Sequence, residues 1–158
     1  MKLYHGSNME IDKPDLSRSK PFKDFGQGFY LSPGYEQAHA LAKQKTDQLQ
    51  SGEPCVTIFE LEDQIIKTSD LQIKIFDDYC EEWAQFVLLN RDRSHTHPAH
   101  TYDIVIGPIA DGVTYQLRRY SMGDISMSRL IEELKYANGL TIQYYFGTEH
   151  ALSYLKKL

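Results

Sequence analysis

The chain has little cysteine, little positive charge and no long apolar run, and each shortage excludes a class of protein. Cys55 and Cys80 are the two cysteines in 158 residues, too few for a disulfide framework and in neither Cys-x-x-Cys nor zinc-ligand spacing. Nothing before residue 30 has the apolar run of a signal peptide, so a reduced, cytoplasmic setting is expected. No stretch approaches the roughly twenty apolar residues of a membrane helix, and no membrane partner is expected. Lys and Arg number 17 against 22 Asp and Glu, a net charge of -5 that provides no footprint for duplex nucleic acid. The Arg118-Arg119 pair reads as a solvated face. Catalytic signatures are missing too: there is no Gly-x-Ser-x-Gly elbow and no Walker loop. Asp24-Phe25-Gly26 lacks the Gly-rich loop, strand lysine and catalytic loop that give that tripeptide meaning in kinases.

What is present is a single-domain length, able to bury about two-thirds of its unfolded surface. Lys2 to His5 predicts a first strand with Leu3 and His5 on one face, ended by Gly6-Ser7-Asn8. Residues 8–23 carry Pro14 and Pro21 without a period and predict a long loop. Phe29 to Leu31 predicts a second strand. A helix follows, capped by Ser32 with Pro33 in its first turn, carrying Tyr35, Ala38, Leu41, Ala42 and Leu49. Val56 to Leu61 alternates as a strand, and Ile65 to Phe76 favours strand or loop over helix. From Asp78 a helix places Tyr79, Cys80, Trp83, Phe86 and Val87 on one face and fades near Arg91, with Trp83 in the core.

Tyr102 to Gly107 reads as a buried strand stopped by Gly107-Pro108, and residues 111–123 fit a helix better than an alternation. Ser126 or Ser128 caps a helix bearing Leu130, Ile131, Leu134 and Ala137, stopped by Asn138-Gly139. Leu140 to Phe146 alternates so that Gln143 faces away from Ile142 and Tyr144, and Ala151, Leu152 and Leu155 predict a closing helix. No regular βαβ cycle runs through this order, so the expected fold class is α+β with a mainly antiparallel sheet arrangement.

The stretch Asp24 to Pro33 compresses two glycines, the Phe29-Tyr30 pair and a Ser-Pro helix start into ten residues. It reads either as a turn whose aromatics enter the core or as a ligand-facing corner. His95, His97 and His100 share a polar loop in which Pro98 interrupts helical spacing, so a surface loop is expected there and no metal site. Alone, His5 is most simply a structural histidine and Tyr30 a core aromatic. Their setting singles them out: Tyr4-His5-Gly6-Ser7 on the first strand, Gly28-Phe29-Tyr30 on the second, Gln143 on a late one.

Tyr4-His5-Gly6-Ser7 followed by Gly26-Gln27-Gly28-Phe29-Tyr30-Leu31-Ser32 resembles the first two signature strands of ADP-ribosyltransferases of the diphtheria-toxin and poly(ADP-ribose)-polymerase type, the His-Tyr-Glu class. Pro14-Asp15-Leu16, Asp24-Phe25-Gly26, the run from Tyr102 to Pro108 and the run from Gln143 to Thr148 extend the likeness. Through them the chain is similar over nearly its whole length to a bacterial, DUF3990-like family of uncharacterised proteins assigned to that superfamily. The resemblance implies a single domain with a split core of two mainly antiparallel sheets and flanking helices. It implies NAD as substrate and transfer of ADP-ribose to an unidentified acceptor, macromolecule or small molecule. The role implied is that of a toxin or regulatory modifier, neutralised by a small antitoxin protein.

By the same resemblance His5 holds an NAD ribose hydroxyl, the Gly6 backbone holds the nicotinamide carboxamide, and Tyr30 stacks on the nicotinamide ring. Ser7 is an auxiliary donor, Gly26 and Gly28 let the backbone pass close to the ligand, and Arg18 is a candidate for the diphosphate that a surface arginine explains about as well. Gln143 is a departure, since it stands where the class has a glutamate and carries no charge. That implies either mono-ADP-ribosylation or a module that binds NAD, ADP-ribose or a protein partner without turnover. Glu149 is a rival for the role, although a helix start after Thr148 accounts for it. Leu41 stands where relatives often carry a second aromatic. Removal of an RNA 2′-phosphate by the same cofactor chemistry is opposed by the acidic balance.

Overall fold

The first strand shows how the molecule is assembled. In the computed structural model, which describes residues 1–68, 70–136 and 139–158, β1 (Lys2–Ser7) continues through Gly6 and Ser7, where a break was expected. The reason lies in the helix above it. A Cβ on Gly6 would stand 2.0 Å from the carbonyl oxygen of Ala38, so the absent side chain lets α1 (Tyr35–Leu49) lie directly on the strand. The helix meets the strand with its smallest residues: Ala38 and Ala42 are buried, whereas Tyr35, Leu41 and Leu49 are exposed. Its N-cap is Gly34, without a side-chain bond, and Ser32 does not cap it. Ser32 is instead buried, and its backbone exchanges two 2.8 Å hydrogen bonds with that of Tyr4.

That bridge joins the edges of two sheets. The first has order β1-β3-β7, with β3 (Cys55–Glu60) antiparallel to both β1 and the short β7 (Lys156–Lys157). The second has order β2-β6-β5-β4, built from β2 (Phe29–Leu31), β6 (Ile142–Phe146), β5 (Ile104–Pro108) and β4 (Ile73–Ile75). All its pairings are antiparallel except that of β4 with β5. The architecture is therefore α+β with two mainly antiparallel sheets.

Strand β5 is buried at every position, as its unbroken apolar sequence requires. Ile104 and Ile106 enter a core with Leu3, Phe29, Leu31, Phe59 and Phe146, which packs the two sheets together. Val105 points the other way, with Phe25, Trp83, Val87, Leu130 and Tyr145, into a second core beneath the helices. These helices are α3 (Glu81–Arg91), α4 (Thr114–Ser121) and α5 (Met127–Lys135). Cys80 caps α3, its Sγ accepting from the Trp83 N–H at 3.4 Å, so the helix begins three residues after Asp78. Trp83 is fully buried and donates its indole N–H to the Pro108 carbonyl at 3.1 Å. Ser126 caps α5 through the Arg129 N–H.

Elsewhere the short elements differ from expectation. Ile65–Thr68 forms one helical turn, α2, where strand or loop was expected, and among the described residues of that stretch the strand is β4. The closing helix is the single turn α6 (Glu149–Leu152), capped by the Thr148 hydroxyl; Leu155 lies beyond it. Ala137 and Asn138, expected on the face and at the stop of α5, lie outside the described residues.

Candidate functional site

The site grows from the edge where β1 meets β2. His5 projects from β1 with its ring nearly parallel to that of Phe29, centroids 4.3 Å apart, and its Nδ1 lies 2.8 Å from the Tyr30 carbonyl oxygen. A carbonyl can only accept, so Nδ1 carries the proton and donates it, leaving Nε2 with a free lone pair. Burial lowers the His5 pKa to about 4; the carbonyl bond opposes that shift, while Lys45 and Lys23 add to it. At neutral pH His5 is thus an uncharged hydrogen-bond acceptor at Nε2.

Tyr30 stands directly opposite Tyr145 across the β2–β6 ladder, so the two rings and Gln143 share one face of the second sheet. The Tyr30 hydroxyl accepts from the Phe25 N–H at 3.0 Å and donates to the Gly26 carbonyl at 2.6 Å, tying the Asp24–Gly26 corner to the strand. Burial pushes its pKa well above the ordinary phenol value. The ring is not bare: the Lys23 ammonium sits 5.3 Å from its centroid.

The carboxylate of the corner is Asp24. It is buried, with Oδ1 accepting from Arg91 Nε at 2.8 Å and Nη2 at 2.5 Å. Its Oδ2 accepts from the Ala110 N–H at 3.0 Å and from Gln143 Nε2 at 3.3 Å. Asp111 lies close enough that its pKa is raised, by burial first and by Asp24 second. Beside Asp111 and α1, a groove of about 410 Å³ is lined by Gln37, Leu41, Tyr79 and Thr141. Leu41 therefore does face a cavity, with an aliphatic side chain.

A second charge cluster lies on the His5 side. Lys23 has its pKa lowered by burial, then by Lys45 and Lys20, and Lys45 has its own lowered by burial and then by Lys20. Lys23 and Lys45 are within electrostatic range of His5, and Lys20 of both lysines, so positive charge gathers on this side of an acidic chain.

The structure thus links His5 to Tyr30 directly, and Tyr30 to Gln143 through the Asp24–Gly26 corner. It treats the other expected site residues differently. Gly6 is open to α1, as described. Gly28 is required because a Cβ there would lie 2.2 Å from Cε2 of Tyr145. Gly26 has φ of 98° and faces Asn90 and His100. The close approaches at these glycines are thus to protein. Ser7 is buried and donates to Asn8 Oδ1 at 3.4 Å. Arg18 is 82% exposed and lies 3.6 Å from the Asp15 carboxylate. His100 places Nε2 2.6 Å from the Phe25 carbonyl and packs against Phe86. Asp24, Arg91, Lys20, Lys23 and Lys45 are the residues that the motif reading missed. Lys45 had a usable signal, standing three and seven residues after Ala42 and Ala38 on the strand-facing side of α1.

Comparison with known proteins adds one result. The family model described as "Protein of unknown function (DUF3990)" matches residues 1–157, and the chain belongs to that family. No curated protein and no solved structure matches it.

Proposed function

We propose that this DUF3990 protein binds NAD at the seam between its two sheets and transfers the ADP-ribose unit to an acceptor, with release of nicotinamide. The observation that carries this reading is the His5–Tyr30 contact. It joins the two signature segments through the Tyr30 backbone carbonyl, which leaves Nε2 of His5 as a neutral acceptor close to the strand that carries the Tyr30 ring. The nicotinamide of NAD is cationic, and the Tyr30 ring already has the Lys23 ammonium over it, so the position suits a positive group. NAD would replace one cation by another. Nε2 of His5 would accept from a ribose hydroxyl, while Lys20, Lys23 and Lys45 offer positive charge for the diphosphate, a better-placed set than the exposed Arg18.

The chemistry asks for stabilisation of positive charge on the ribose carbon as its bond to nicotinamide breaks and the electron pair leaves with the neutral ring. The acceptor's nucleophile then bonds to that carbon and gives up its proton. Gln143 contributes hydrogen bonding without charge, which favours a single transfer over chain growth. The test is incubation of purified protein with labelled NAD and lysate, comparing wild type with His5→Ala and Tyr30→Ala. Label on a lysate component that both variants lose by at least about tenfold is the expected result. A folded wild type that neither binds NAD nor labels anything defeats the reading.

A second reading, a module that binds NAD or ADP-ribose without turning it over, draws on the engagement of the Gln143 amide by Asp24. Calorimetric binding of NAD without nicotinamide release would select it.

A further inference from the structure

We propose that Asp24 is the positioning residue of the site: its carboxylate takes the Gln143 amide NH2, turns Oε1 away from itself as an acceptor, and makes glutamine the required residue there. The inference rests on the NAD reading for the use of Oε1, but the coupling of the two residues stands independently of it.

The orientation follows from chemistry. An ionised carboxylate accepts hydrogen bonds and donates none, so only the NH2 end of the amide can face Asp24 Oδ2, 3.3 Å away. The amide oxygen must then point away from Asp24. Being a carbonyl oxygen, it offers lone pairs to a hydroxyl, which is what a glutamate would offer at the same place, without the charge.

Asp24 in turn has no freedom to adapt. Oδ1 is held by two Arg91 nitrogens on α3 and Oδ2 by the Ala110 N–H after β5. The charged and titratable groups facing this corner are Arg91 from α3, Asp111 from the turn before α4, Lys23 from the preceding loop, Tyr30 from β2, Tyr145 from β6 and His100 from the loop before β5, the last with its pKa lowered by burial. The pH dependence is therefore read as the difference between variants that share these groups. Arg91 already points both of those nitrogens at Asp24. A glutamate at 143 would face a buried carboxylate across the gap that a hydrogen bond now spans, with Asp111 as a further like charge. Charge at 143 and charge at 24 are alternatives.

The experiment is a double-mutant cycle on the full chain without NAD: Asp24→Asn, Gln143→Glu and the pair, followed by thermal unfolding from pH 5 to 8. The carboxyl introduced by Gln143→Glu would have a folded-state pKa above its unfolded value. Its penalty is therefore absent at low pH and appears as pH rises through the folded pKa. Gln143→Glu is expected to melt at least about 3 °C below wild type at pH 8, to recover toward pH 5, and to lose that penalty when combined with Asp24→Asn. Additive effects, or a pH-independent one, overturn the proposal. If Asp24→Asn does not fold, Gln143→Glu is compared with the similarly sized, uncharged Gln143→Met, and a difference between them that does not grow with pH overturns it equally. NAD affinity is then measured on wild type and Asp24→Asn. A wild type that does not bind NAD removes the reading of the cleft while the cycle still reports on the pair. A wild type that binds, with at least about tenfold weaker binding in Asp24→Asn, completes it, and unchanged affinity refutes the positioning role.

Discussion

His5 and Lys23 are two basic side chains in mutual range, and burial moves both toward neutrality. For His5, the unfolded chain binds a proton near pH 6.5 and the folded chain only near 4, so stability rises with pH across that window. The contribution is complete above pH 6.5 and is lost progressively as pH falls toward 4, by on the order of 3 kcal/mol. NMR titration of the imidazole should show His5 uncharged at about pH 5.5, and His5→Gln should flatten the acid limb of the stability curve. An ordinary titration near 6.5 would contradict the buried, carbonyl-bonded ring.

Lys23 serves two opposed purposes in the proposed site, and they separate experimentally. Its ammonium occupies the Tyr30 face and also adds to the positive potential of Lys20 and Lys45. Lys23→Ala should therefore weaken ADP-ribose, which has the diphosphate but no nicotinamide, by roughly three- to tenfold, about the loss of one charge-assisted contact. The same substitution should strengthen binding of 1-methylnicotinamide, a pyridinium cation of the ring type without the diphosphate. Movement of both ligands in one direction would show that Lys23 is not over the nicotinamide position.

Among the elements, β1 and α1 form the most demanding contact, because backbone meets backbone. Gly6→Ala puts a methyl against the Ala38 carbonyl, and neither a helix nor a paired strand can yield by the ångström needed. The expected cost is about 3 kcal/mol, at the upper end of overpacking effects, read as a loss in denaturation midpoint with unchanged slope. Gly34→Ala is the control, since a Cβ there meets nothing within 4 Å. How much of these elements was legible follows from the range of the forces involved. Helix α5, with Leu130 and Leu134 inward, was readable from spacing alone, though only the structure chose Ser126 over Ser128 as its cap. Strand β5 was readable as a buried strand, but it starts at Ile104 and stays paired through Gly107 and Pro108, where a stop was expected. The start of α1 was not. Ser32-Pro33 is a sound local cap signal, but the Ser32 backbone is claimed by Tyr4, a partner far back in the chain on β1.

For the whole molecule, one core contains residues of both sheets, with Leu3 and Phe59 from the first against Phe29, Ile104 and Phe146 from the second. The sheets should therefore unfold together. Fluorescence of Trp83, the single tryptophan, and far-UV circular dichroism should give coincident transitions. Separate midpoints would mean that the second core, where Trp83 lies, melts independently.

At this scale the division between sequence and structure is also clearest. Sequence alone determined the apolar strand β5, the buried Trp83, the α+β order of elements and the prominence of His5, Tyr30 and Gln143. The first three follow from periodicity and residue chemistry, which act over a few positions; the prominence of His5, Tyr30 and Gln143 rests on the resemblance of their segments to ADP-ribosyltransferase signatures. Only the tertiary structure decided that Gly6 and Gly28 are spaces for other parts of the protein, that Lys20, Lys23 and Lys45 converge, and that Asp24 grips Gln143 across 119 positions of chain. Clearance around a missing Cβ, desolvation of an imidazole and the sum of nearby charges all depend on what is brought alongside by folding, and no local pattern encodes that neighbour.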